Sequence, residues 1–193
     1  MNSNLSTFED LTNYVYCIIN HMLDLTPPNY EFCPFCGRKL DTRIEEEKER
    51  MYCPDCAWTY YPHVGAAACA VIVKDDTVLM VKRKREPYAG TWMFPAGFVD
   101  YGEHPEDTLK REVSEETGLR IQDFSFISIY QVDDDPRAMG HWGIFYKVIV
   151  EEGTLKNDEE ENEDLQWFDI SAIPEIGWHT HKDVGEMLKR VQI

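Results

Sequence analysis

With 193 residues, the chain is long enough for one well-packed domain and a small accessory module. Its 43% hydrophobic and 28% charged residues are a globular composition, and no apolar run reaches the length of a membrane span. The formal net charge of −17 argues against nucleic acid as a partner, and an anionic substrate would need bound cations or a local basic patch.

The first 30 residues carry no Arg or Lys, so they lack the basic flank of a signal or transit peptide, and the expected location is cytoplasmic. Ser6 to Leu25 reads as an amphipathic helix, with Phe8, Leu11, Val15, Ile18 and Met22 at three- and four-residue steps and Pro27 and Pro28 stopping it. Residues 1–28 therefore form an N-terminal segment that packs on the rest of the chain or on a second subunit, as in a homodimer. Next come Cys33-Pro34-Phe35-Cys36 and, after sixteen residues, Cys53-Pro54-Asp55-Cys56. Each CxxC turn presents two thiolates, and two turns close a tetrahedron around one zinc ion. A disulfide pair is disfavoured in a cytosolic protein, and a redox CxxC is normally a single motif near a βαβ unit. With all four positions used, such a zinc is structural. The expected ribbon spans residues 29–62, with Phe32, Phe35, Tyr52 and Trp58 packed around the metal and Arg43–Arg50 as a solvated hairpin arm. Cys17 and Cys69 sit in apolar runs and read as buried filler.

From Gly65 the pattern changes. Strands are expected over Ala66–Val73 and Thr77–Val81, around a Lys74-Asp75-Asp76 turn, then over Phe124–Val132, Trp142–Val150 and Leu165–Phe168. Helices are expected over Pro105–Thr117 and Lys182–Val191, and the acidic run Asn157–Asp164 reads as a mobile loop. Mixed strands and helices over residues 63–193 describe an α/β domain.

Gly97 to Leu119 reads GFVDYGEHPEDTLKREVSEETGL. Pro105 suits a helix's first turn and Gly118 the residue just past its end. Glu112, Glu115 and Glu116 stand at i, i+3 and i+4, so three carboxylates crowd one side and raise one another's pKa unless cations neutralise them. Hard oxygen ligands on a rigid element suit Mg²⁺ or Mn²⁺, which keep waters and bridge to substrate phosphates. Arg111 beside them can hold a carboxylate in a fixed orientation.

This stretch resembles, at every fixed position, the signature of the Nudix hydrolases, GX5EX7REUXEEXGU with U apolar. Chance agreement in a chain of this size is on the order of one in ten million at average residue usage. The resemblance extends over Val78–Pro95 and Trp167-Phe168. It implies an α/β/α sandwich with a mixed sheet and hydrolysis of a diphosphate linkage in a nucleoside-diphosphate-X substrate. Glu112, Glu115 and Glu116 would hold the divalent ions, joined by the backbone carbonyl of Ala96. Arg111 would orient Glu112, and Glu103 would fix the loop to the helix. The general base varies across the family; here it is Glu112, Glu115 or an acid of the 158–163 loop, Glu161 and Glu163 foremost.

Arg83, within the basic cluster Lys82–Arg85, matches a position where related enzymes carry a phosphate-contacting Arg. Asp135-Pro136-Arg137 resembles a DPR segment of ADP-ribose-type members, and Phe98, Tyr130 and Trp142 are aromatic rings that could stack a base. The SQPWPFP-type array of NADH pyrophosphatases does not occur between Ile121 and Tyr146. The resemblance thus implies ADP-ribose or a similar dinucleotide (FAD, NADH) as substrate, with Arg83, Phe98 and Arg137 contacting it. The alternative is a Nudix-fold sensor or partner-binding module without turnover.

Overall fold

The computed structural model describes residues 30–138 and 140–190. The helix expected over Ser6–Leu25 and Cys17 lie outside the described residues. The described residues divide into two compact units, one within 30–63 and the other within 64–190.

The smaller unit is a three-stranded antiparallel sheet of β1 (Asp41–Glu45), β2 (Lys48–Cys53) and β3 (Trp58–Thr59). The charged arm is the β1–β2 hairpin, turned by Glu46 and Glu47, both at positive φ (51° and 63°), as a two-residue turn between twisted strands requires. Among the unit's described residues the buried hydrophobics are only Cys33, Cys53 and Tyr60. Phe32 and Phe35, expected to pack around the metal, are exposed.

The larger unit contains β4 (Ala66–Lys74), β5 (Thr77–Arg83), β6 (Trp92–Met93), β7 (Ala96–Phe98), α1 (Pro105–Thr117), β8 (Ile121–Val132), β9 (His141–Val150), β10 (Asn162–Asp169) and α2 (His179–Arg190). Its main sheet runs β10-β5-β4-β9-β8, with β4 and β9 parallel and the other neighbours antiparallel. Side chains of β4 alternate between two cores: Ala68, Ala70 and Ile72 meet Leu109 and Val113 of α1, whereas Cys69, Val71 and Val73 meet Val184 and Leu188 of α2. Burial on both faces is why β4 is a continuous apolar run rather than an alternating one. The result is the α/β/α sandwich with a mixed sheet. No helix among the described residues is long and apolar enough to cross a membrane.

The site depends on a split in this sheet. β4 and β5 pair only from Ile72–Lys74 to Thr77–Leu79 and then part. β7 pairs with β4 at Ala67–Cys69 and β6 pairs with β5 at Val81–Lys82. The Ala70 N–H donates to the Pro95 carbonyl at 2.8 Å, so the Trp92–Phe98 segment is wedged into the split. Strands of two and three residues show no periodicity, and sequence reading passed over both.

Helix α1 begins and ends where expected. His104 caps it, its ring accepting from the Glu106 N–H at 3.3 Å, and Gly118 closes it at φ 72°. Helix α2 starts at His179, earlier than the expected Lys182, because Asp134 accepts the His179 N–H at 3.0 Å and caps the new first turn. β10 starts at Asn162, within the run read as a loop, because the Asn162 side chain is buried against the site.

Candidate active site

Within the larger unit, a cavity of about 370 Å³ opens between α1, β7, the loop before β10 and the head of α2. One wall is acidic. Glu112 and Glu116, only 9% and 5% exposed, face inward from α1, with Glu161 beside them. Glu116 accepts from the Ala96 N–H at 2.9 Å and from Asn162 Nδ2 at 3.5 Å. Burial, reinforced by the neighbouring Glu112 charge, pushes the Glu116 carboxyl up to about 8. Burial also raises Glu112, against which the Arg111 guanidinium pulls. A Cβ on Gly97 would overlap the Glu112 carboxylate, which therefore lies directly against a backbone that only glycine leaves open.

Arg111 joins the acids. It grips Glu103 bidentately (3.0 Å to each oxygen), bonds Glu112, reaches Glu115 at 3.2 Å and donates to the Phe98 carbonyl at 3.2 Å. Glu103 also accepts from Thr108 Oγ1 at 2.7 Å and from the Asp100 N–H at 3.3 Å, tying loop to helix. Chiefly the Arg111 hydrogen bonds hold the Glu103 carboxyl down to about 2. The three helix glutamates do not share one wall. Residues i and i+4 are about 40° apart around a helix, but i+3 lies about 100° from i+4. Glu115 is accordingly exposed and lies outside the cavity lining.

The acidic loop supplies one carboxylate and withholds another. The Lys84 N–H donates to the Glu161 carbonyl at 3.0 Å and Lys84 Nζ to the Glu159 carbonyl at 2.6 Å, which presents Glu161 at the cavity. Glu163 pairs with Lys82 at 3.0 Å and is not part of the lining.

The other wall is cationic. Arg83 is half-buried: its Nε donates to the Pro87 carbonyl at 2.9 Å and its guanidinium lies 4.6 Å from the Trp178 ring centre. Among the described residues no carboxylate pairs with Arg83. Arg137 bonds Asp135 through Nε (2.9 Å), NH2 (2.7 Å) and its backbone N–H (3.0 Å), and its guanidinium stands 5.6 Å from the Phe98 ring and 5.8 Å from that of Trp178. The fold thus brings Arg83, Phe98, Asp135 and Arg137 to one cavity. Trp142 and Tyr130 are not in its lining. Trp178, Thr180 and His181, which are, were missed because they precede or open a helix read as starting later; the aromatic and histidine cluster Trp178-His179-Thr180-His181 was the available signal.

Two donor sets fit metal ions. Two buried carboxylates side by side, with a third nearby and one shared guanidinium, are an oxygen set whose mutual repulsion a divalent cation would relieve. In the smaller unit the Cys33, Cys36, Cys53 and Cys56 sulfurs all lie within 4.8 Å of one another, and Cys36 and Cys53 are 3.7 Å apart. A tetrahedron with metal–sulfur bonds of about 2.3 Å has edges of about 3.8 Å. The backbone folds as a tight knuckle, with the Gly37 N–H donating to the Cys33 carbonyl at 2.9 Å and the Cys33 N–H to that of Arg38 at 2.7 Å.

The fold and the acid-walled cavity can be set beside known proteins. The NUDIX domain model matches residues 62–188, and the zinc-ribbon model described as Nudix N-terminal matches residues 31–62. The chain belongs to the Nudix hydrolase family. It is 34% identical over 155 residues to an ADP-ribose pyrophosphatase of Methanocaldococcus jannaschii, covering 79% of this chain and 87% of that one. It is 30% identical over 145 residues to the NAD-capped RNA hydrolase NudC of Vibrio atlanticus, covering 75% of this chain but only 51% of the relative, about half its length. Among solved structures, a Nudix hydrolase from Nitrosomonas europaea superposes with a TM-score of 0.66 at 25% identity, covering 83% of this chain and 89% of that one.

Proposed function

We propose that this Nudix hydrolase cleaves the diphosphate linkage of ADP-ribose or a similar nucleoside-diphosphate-X, releasing AMP and a sugar phosphate. The observation that carries the reading is the cavity itself. Buried Glu112 and Glu116 line the same cavity as a half-buried Arg83 that forms an ion pair with no carboxylate among the described residues. A diphosphate placed between them answers both walls at once.

In this reading Glu112 and Glu116 hold the divalent cation together with the Ala96 carbonyl, and Glu115 joins them only by turning from Arg111. Mg²⁺ or Mn²⁺ there would supply charge stabilisation on the phosphate oxygens and a lowered pKa for the attacking water. Arg111 and Glu103 keep Glu112 aimed inward. Glu161 stands where it can take the proton as the water oxygen bonds to phosphorus and the bridging P–O bond breaks. Arg83 and Arg137 bind phosphate oxygens, and Phe98 borders the adenosine side. The cysteine quartet holds a structural zinc, with residues 29–62 as the zinc module and 63–193 as the hydrolase domain. Similarity to an ADP-ribose pyrophosphatase over most of both chains and the presence of Asp135 and Arg137 in the cavity lining support ADP-ribose first.

The test is a panel of ADP-ribose, FAD, NADH and nucleoside triphosphates, each with Mg²⁺ and with Mn²⁺, products being resolved by chromatography. AMP and ribose phosphate from ADP-ribose are the expected result, with NADH and FAD turned over more slowly. A panel without cation-dependent product would overturn the reading in favour of a binding module. Arg83→Ala is expected to lower kcat/KM for the preferred substrate roughly 10- to 150-fold, which is what one charge-assisted hydrogen bond to a phosphate contributes. Unchanged kcat/KM would remove Arg83 from the substrate site.

A further inference from the structure

His181 does not touch the acidic wall, yet the fold places it one step from the segment that does. It is 6% exposed, in the first turn of α2, with its ring among those of Phe94, Phe145 and Trp178 at centre distances of 5.6, 5.0 and 6.0 Å. A hydrocarbon side chain would fill this space without burying polar nitrogens, so the imidazole must have hydrogen-bonding work to do there. Its Nδ1 accepts the Phe94 N–H at 3.2 Å, and its Nε2 lies 3.8 Å from Cys69 Sγ. An accepting Nδ1 leaves the ring proton on Nε2. Burial holds the ring pKa down to about 3, so the lone pair stays available at working pH.

Phe94 lies in the split of the sheet, between β6 and β7, where its N–H has no ladder carbonyl. The Pro95 carbonyl that follows is held by Ala70 and the Ala96 N–H by Glu116, and the Glu112 carboxylate lies in van der Waals range of the Gly97 backbone. We propose that His181 is a positioning residue: by holding the Phe94 N–H it sets the Phe94–Gly97 segment, and through Ala96 and Gly97 it sets the two carboxylates that bind the divalent cation. The part concerning the cation rests on the metal-dependent reading above.

Three full-length variants test this, with amide exchange measured without Mg²⁺ or Mn²⁺ and Mn²⁺ affinity measured by electron paramagnetic resonance without substrate. His181→Leu keeps the volume and removes the acceptor. His181→Asn restores an acceptor near the Nδ1 position. Leu188→Ala, two turns along the same helix, removes buried volume from the core that Phe94 shares but leaves the His181 acceptor in place. His181→Leu is expected to speed exchange of the Ala96 and Gly97 amides and to weaken Mn²⁺ binding about tenfold or more, the usual effect of losing an outer-shell partner. His181→Asn should recover most of both, and Leu188→Ala should lower the melting temperature while changing neither. Wild-type exchange and Mn²⁺ affinity in His181→Leu would overturn the proposal, as would Leu188→Ala moving both as far. Faster exchange in His181→Leu, with no Mn²⁺ binding even by the wild type, supports the positioning and sinks the metal reading.

Discussion

Glu116→Gln is expected to lower kcat/KM about a thousandfold, the rate equivalent of several kcal/mol of cation-supplied stabilisation, while making the protein without Mg²⁺ or Mn²⁺ more stable at high pH. The first effect follows from replacing a charged oxygen ligand by a neutral amide on the wall where the cation would sit. The second follows from linkage. The folded carboxyl is pushed up to about 8 from an ordinary value of 4.5, chiefly by burial. Between those two pH values the folded protein keeps a proton that the unfolded chain has released, so stability falls as pH rises through the window and stays low above it. The amide of the variant does not titrate and is free of this penalty, which is on the order of a few kcal/mol. Thermal melts at pH 9, with zinc retained and Mg²⁺ and Mn²⁺ omitted, should show the variant above the wild type, the difference closing toward pH 4. Coincident melts at pH 9 would falsify the buried-carboxylate account, and an active variant would remove Glu116 from the cation site. Activity and stability moving in opposite directions is the mark of a residue retained for function.

The second large effect belongs to the smaller unit. Cys53→Ala should release its zinc and unfold the β1–β3 sheet while the larger unit stays folded. Cys33, Cys53 and Tyr60 are the buried hydrophobics among the described residues of that unit, too little apolar surface to offset the entropy of ordering its chain. A structural zinc contributes roughly 10–16 kcal/mol in small zinc modules, so under the proposed zinc reading the metal would decide whether this unit folds. Elemental analysis is expected to fall from about one zinc per chain to none. Amide protection should vanish in β2 and persist in β4 and β9, whose cores lie in the other unit. A variant that keeps its zinc or its β2 protection would show that apolar packing, not the quartet, orders the ribbon.

Much of this was legible along the chain because it depends on neighbours in sequence. Pro105 and Gly118 mark the ends of α1, since one tolerates a missing N–H and the other a left-handed backbone. The two CxxC turns announce their cluster because each makes half of it locally. The unbroken apolar run of β4 marks a strand buried on both faces, and the signature stretch carries the family with it. Periodicity, however, states which residues share a face of one element and nothing about what lies opposite. That Glu116 points into the cavity while Glu115 does not, and that Glu161 reaches it while Glu163 is held by Lys82, was settled by packing between elements far apart in sequence. The same holds for Trp178 beneath Arg83 and Arg137, and for His181 at Phe94. These contacts exist because β4 and β5 part after three paired positions and two very short strands fill the gap. Whether a sheet splits there depends on the partners each strand finds across it, so tertiary packing alone could decide where the two walls of the site meet.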